Sequence, residues 1–206
     1  MNAVRTIVST CVCLGLLMAG GDYAVPWALS SAEKPVLREP KMTVDLIAAL
    51  GCAWDESELR DLLATFRIQG KPVFDADGYS GFLQNHALGV ELTFKYADRL
   101  DVRLRDHPPS TIVLNNIRFY GLGSSTHAAF KGDLPFGLHF SDTGAMLIAR
   151  FGPPDVDRIG LAGLRLLRWD TERYALFVEF NDDGTLARLS LQLPVVASSR
   201  PGFERR

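Results

Sequence analysis

The residues able to do chemistry are few, and none of them forms a recognised constellation. The four histidines, His86, His107, His127 and His139, share no i,i+3 or i,i+4 spacing and have no cysteine nearby, so a zinc site would have to be assembled by the fold. A serine nucleophile needs a strained elbow, and neither Gly78-Tyr79-Ser80-Gly81 nor Gly121-Leu122-Gly123-Ser124-Ser125 has the G-x-S-x-G spacing. The second stretch also lacks the last glycine of a dinucleotide loop and reads as a flexible connection. Asp75-Ala76-Asp77-Gly78 opens like a calcium loop but has neither the alternate ligands nor the closing glutamate, which leaves a turn. Asp182 and Asp183 sit in a turn as well, where carboxylates are solvated and general acid catalysis would lack a cleft. Cys52, beside Trp54, reads as a small buried apolar residue. The expectation is a protein that is not an enzyme, with no catalytic residue, no cofactor and no metal.

A chain of 206 residues, 47% hydrophobic and 22% charged, can bury one substantial core or two small ones. Its formal charge of -2 offers no excess positive charge to a phosphate backbone, which excludes general nucleic-acid binding. Arg5 precedes an apolar run with the length of a secretory h-region, and Ala19-Gly20-Gly21 supplies small residues for cleavage before Asp22. Residues 1–21 therefore read as a signal peptide, giving a periplasmic or secreted protein with no stable membrane span after cleavage. An uncleaved inner-membrane anchor is the alternative. Residues 22–42, with Pro26, Pro35 and Pro40, read as a linker. Residues 195–206, carrying Arg200, Arg205 and Arg206, read as a flexible, solvated tail.

The folded part is expected over 43–194, as one α+β domain. A short helix stopped at Gly51 and a second one capped by Asp55, with Glu58 as in a capping box, precede strands over 79–86, 88–96 and 110–120. Phe130 to Phe140 then forms a hinge, with Gly132, Pro135 and Gly137 as breakers between apolar anchors. A helix over 142–151, capped by Asp142, and strands over 164–170, 173–180 and 185–193 follow, the last two joined by a turn at 181–184. This order reads as two tandem helix-β-β-β units, 43–129 and 130–194, forming an antiparallel sheet with helices packed on one face.

The other face of that sheet is the candidate interaction surface. Alternation assigns to it Glu91, Lys95, Arg118, Tyr120, Arg165, Phe177, Glu179, Arg188 and Gln192, together with Thr93, Asn116 and Ser190. Arginines and aromatics among mixed charges suit a specific protein interface.

The second unit resembles the repeat of the beta-lactamase inhibitor protein and of the SmpA/OmlA (BamE) outer-membrane assembly lipoproteins. The likeness rests on Arg150-Phe151-Gly152-Pro153-Pro154, a strand bearing Trp169, and Val178-Glu179-Phe180-Asn181-Asp182-Asp183-Gly184. Over roughly 46–193 the chain also resembles a family of small bacterial proteins, some of them toxin-immunity proteins. Gly89-Val90-Glu91-Leu92-Thr93-Phe94, Ile117-Arg118-Phe119-Tyr120-Gly121, Phe130 to Phe140 and Trp169-Asp170 carry that likeness. It implies an immunity or inhibitor protein whose partner is another protein, a toxin or enzyme, occluded by the open face and the loops around Ser124 and Asp183. An envelope assembly accessory and an unrecognised hydrolase are the alternative readings.

Overall fold

The computed structural model describes residues 45–100, 107–160 and 163–194. The expected signal peptide, linker and tail lie outside the described residues, as do residues 101–106 of the loop between the second and third expected strands. Alternating apolar residues build eight strands: β1 Val73–Phe74, β2 Gly81–Asn85, β3 Val90–Tyr96, β4 Ile112–Tyr120, β5 Val156–Ile159, β6 Arg165–Asp170, β7 Ala175–Phe180 and β8 Leu186–Gln192. They form one antiparallel sheet in the order β1-β2-β3-β4-β8-β7-β6-β5.

The expected α+β class, two tandem helix-β-β-β units, is corrected by this sheet. Each half contributes four strands, and the helices are short: α1 Leu46–Ala49 of 4 residues, α2 Ser57–Thr65 of 9 and α3 Gly144–Phe151 of 8. The fold is dominated by one eight-stranded sheet. The strands missed in the sequence are the two edges. β5 carries charges at two of its four positions, and β1 has two residues, so neither shows the half-buried alternation that marks a strand. Caps shifted too. Thr143, not Asp142, accepts from the Met146 amide at 3.4 Å, while Asp142 accepts from the His139 amide at 2.8 Å. The capping box at Asp55 is absent: Glu56 is the residue before α2 and makes no side-chain cap bond.

The core lies on one face. Val90, Leu92 and Phe94 of β3 pack there with Ile117 and Phe119 of β4, Leu189 and Leu191 of β8, Leu176 and Val178 of β7, and Leu167 and Trp169 of β6. Leu46, Leu59, Leu62, Leu147 and Phe151 bring the helices onto the same cluster. Between the halves, Phe130 meets Phe66 and Phe119, with ring centroids 6.2 and 4.8 Å apart. Phe136 meets Phe151 and Tyr174 at 6.1 and 5.6 Å. Phe136 holds φ 61°, a left-handed conformation costly for an aromatic residue, and Arg150 of α3 donates to the carbonyls of Phe136 and Gly137 at that turn.

Phe136 is 5% exposed, so Phe136→Ala removes a ring packed on two others and should cost about 3–5 kcal/mol. Thermal melting checks this, and an unchanged melting temperature would show that the hinge is not part of the core.

Candidate functional site

Strand registry, not sequence proximity, assembles the polar face. One row runs across the sheet from Gln84 of β2 through Glu91, Arg118, Ser190 and Phe177 to Arg168 of β6. The next runs from Tyr120 through Arg188, Glu179 and Leu166 to Arg158 of β5. A third begins at Thr93 and passes Asn116 to Gln192. Because alternate residues of each strand face the core, these side chains must share the opposite side.

Glu91 is the hub. Only 5% exposed, it accepts from Gln84 Nε2 at 2.6 Å, Arg118 Nη1 at 2.9 Å and Tyr120 Oη at 3.0 Å. Three donors on one carboxylate answer the desolvation that its burial would otherwise impose. Arg118 Nε reaches Ser190 Oγ at 3.2 Å. Burial works against the charge on Arg118, but Glu91 and Tyr120 outweigh it and hold the guanidinium above the ordinary arginine value. Burial pushes the Tyr120 phenol up, with Arg118 opposing and the Glu91 charge adding.

Beside this hub, Asn116, Arg118, Arg158, Gly160, Leu166, Phe177, Glu179, Arg188, Ser190 and Gln192 line an open hollow of about 340 Å³. Arg188 pairs with Glu179, and Arg168 sits over the Phe177 ring, 5.7 Å from its centroid, while pairing with Asp170 at 2.9 Å. Asn116 is 4% exposed, and its Oδ1 has no hydrogen-bond partner among the described groups.

Seven of the nine residues assigned from the sequence gather here: Arg118, Phe177, Glu179, Arg188 and Gln192 in the hollow, with Arg118 and Tyr120 both bonded to Glu91. Two do not. Lys95 lies beyond a bulge between Thr93 and Phe94 and turns to Tyr79, 4.5 Å from the ring centroid. Arg165 is on the core side: it shares the alternation of Leu167 and Trp169, its Nη1 stands against Gly144 of α3, and it pairs with Asp157 at 2.7 Å. The correction is one of parity, since a single residue's offset along a strand changes its face. Arg158 and Leu166 escape the sequence reading because β5 shows no strand alternation and the assignment of Arg165 to the open face puts Leu166 on the core side.

The histidines converge in part. His127 is buried in the loop after β4, stacked on Tyr120 with ring centroids 3.9 Å apart and planes 2° apart, and lies 4.4 Å from His86. Its Nδ1 is 2.9 Å from Thr126 Oγ1, a hydroxyl–imidazole contact, but its Nε2 is buried with no partner among the described groups. Among the described residues no carboxylate is bonded to this imidazole. His107 instead contacts the Gly51 carbonyl at 3.0 Å. Cys52 is fully buried and, with Glu56 and Glu58, forms a potential metal-ligand cluster within 4.8 Å. Its surroundings at the α1–α2 turn are remote in sequence from the strands of the hollow.

Glu91→Ala would strand Arg118 and two further donors. A fully buried pair costs about 3–5 kcal/mol to break in this way; Arg118 keeps 31% of its side chain exposed, so the expected loss is about 2–3 kcal/mol by chemical denaturation. Equal stability of the variant would remove Glu91 from its place as hub. Burial, then His86, lowers the His127 pKa, so the folded state disfavours its protonation and the unfolded state binds the proton more readily. Stability contributed by neutral His127 is present above about pH 6.5, the ordinary histidine value, and declines as pH falls through it. The melting temperature should drop between pH 7 and 5, and His127→Gln should flatten the drop; an equal slope in the variant would assign it elsewhere.

A scan against protein-family models found no match, and a search of curated protein sequences found none. Among solved structures, the chain is similar to a DUF4309 family protein, YjgB, from Bacillus subtilis subsp. subtilis str. 168. The identity is 20%, over 65% of this chain and 76% of that one, with a TM-score of 0.39, at which the likeness carries no argument about fold or function. These comparisons lend no support to the resemblance to immunity proteins, the beta-lactamase inhibitor protein or the SmpA/OmlA lipoproteins.

Proposed function

We propose that this chain is an exported, non-enzymatic protein-binding module that uses the polar face of its sheet to occlude another protein, a toxin or an enzyme. The observation that carries the reading is the hollow itself. It is open, its lining includes three arginines and Phe177, and Arg118, Ser190, Arg188 and Glu179 are pinned by bonds within the sheet. Pre-ordered arginine and aromatic groups lose little side-chain entropy on docking, which favours affinity for a complementary surface. The sheet beneath is fixed by hydrogen bonding on both sides of β3, β4, β6, β7 and β8, so the face docks as a rigid body.

Gln192→Trp places an indole in the hollow and should abolish retention of the partner in affinity capture by the full chain, while Arg165→Glu, on the core side, should leave it unchanged. Retention by Gln192→Trp would show that binding uses another surface. An immunity protein should also protect only when its toxin is present. Envelope sensitivity in the absence of any toxin would favour the assembly-accessory reading instead.

A further inference from the structure

Three arginines reach one hollow from strands far apart in sequence: Arg118 on β4, Arg158 on β5 and Arg188 on β8. Their charge is unevenly used. Arg118 gives Nη1 to Glu91 and Nε to Ser190, and Arg188 gives Nε to Glu179, so each keeps further N–H donors. Arg158 is exposed and has no ion pair or side-chain hydrogen bond to another described residue. Among the described residues, the three guanidinium groups of the hollow meet two carboxylates, Glu179 in its lining and Glu91 bonded to Arg118, which leaves the charge of Arg158 uncompensated.

We propose that this hollow is a carboxylate-binding site that takes acidic side chains from an Asp- or Glu-rich segment of the partner, an inference that rests on the polar face being the docking surface. A guanidinium fork matches a carboxylate with two parallel hydrogen bonds, which an ammonium cannot do. Leu166 and Phe177 lie among the arginines and supply apolar surface for the methylenes of a glutamate. The volume of about 340 Å³ is at the small end of ligand pockets, enough for one or two side chains of a longer segment. The whole chain carries a formal charge of -2, so it has no general attraction for acidic peptides, and any such binding has to come from local charge.

Isothermal titration of the full chain with an end-blocked hexaglutamate peptide tests the site, with hexaglutamine and inorganic phosphate as comparison ligands. Hexaglutamate should bind more tightly than either. Arg158→Gln should weaken it about tenfold, the loss of one charge-assisted contact, and Lys95→Gln, which removes a charge outside the hollow, should not. Glutamate binding no tighter than glutamine, phosphate binding as tightly as the peptide, or equal losses in the two variants would each overturn the proposal. If Gln192→Trp loses the protein partner while hexaglutamate fails to bind the unaltered chain, the docking reading stands and the acidic preference falls. If Gln192→Trp keeps the partner, the docking reading falls and this inference falls with it.

Discussion

The pairing of β4 with β8 is the constraint on which the rest of the structure depends. These strands come from opposite halves of the chain, and their register sets Ile117 against Leu191 on the core side and Arg118 against Ser190 on the polar side. Both sheet halves are extended from this seam, β3, β2 and β1 one way and β7, β6 and β5 the other. A one-residue slip of β4 against β8 would turn Arg118 into the core and Ile117 out to solvent, so burial of one face fixes the composition of the other.

That coupling explains why the polar face is built as a network. Glu91, Asn116, Tyr120 and Ser190 are all less than 9% exposed although they lie opposite the helices, because the long side chains of neighbouring strands cover one another. A carboxylate in such a place is tolerable only with its donors supplied, and Gln84, Arg118 and Tyr120 supply them from β2 and β4. The same bonds hold Arg118 in position at the hollow. Stability and the shape of the candidate site are therefore carried by the same side chains. The margin of the hollow is different in kind: Arg158 on the edge strand is exposed and unpaired among the described residues, and can move without disturbing the network.

The parts of the fold legible in the sequence are those where one local pattern is sufficient. Alternation in Val90 to Phe94 marks β3 and assigns its faces, and Asn181 to Gly184 marks the turn between β7 and β8, where Gly184 adopts φ 81°. Gly152 ends α3 at φ 79° as its position before two prolines suggests. β1 and β5 were not legible: a short edge strand is defined by its hydrogen bonds to a neighbour, and its residues need not alternate. The bulge opposite Thr93 and Phe94 was also hidden. It sets Leu114 against Phe94 and Val113 against Lys95, so the alternation that runs through Ile117 and Phe119 does not continue to Val113.

By itself the sequence determined the local states and most of the polar residues that share a face, because side-chain period along a strand is a property of the backbone alone. It could not determine which strands are neighbours, for that depends on hydrogen bonds between segments separated by tens of residues. Only the tertiary structure decided that Glu91 is a buried hub, that Arg165 faces α3 and that Lys95 turns to Tyr79. It alone brought Arg158 beside Arg118 and Arg188. The physical reason is that a site made across a sheet is set by register, a relation between strands that no single stretch of sequence contains.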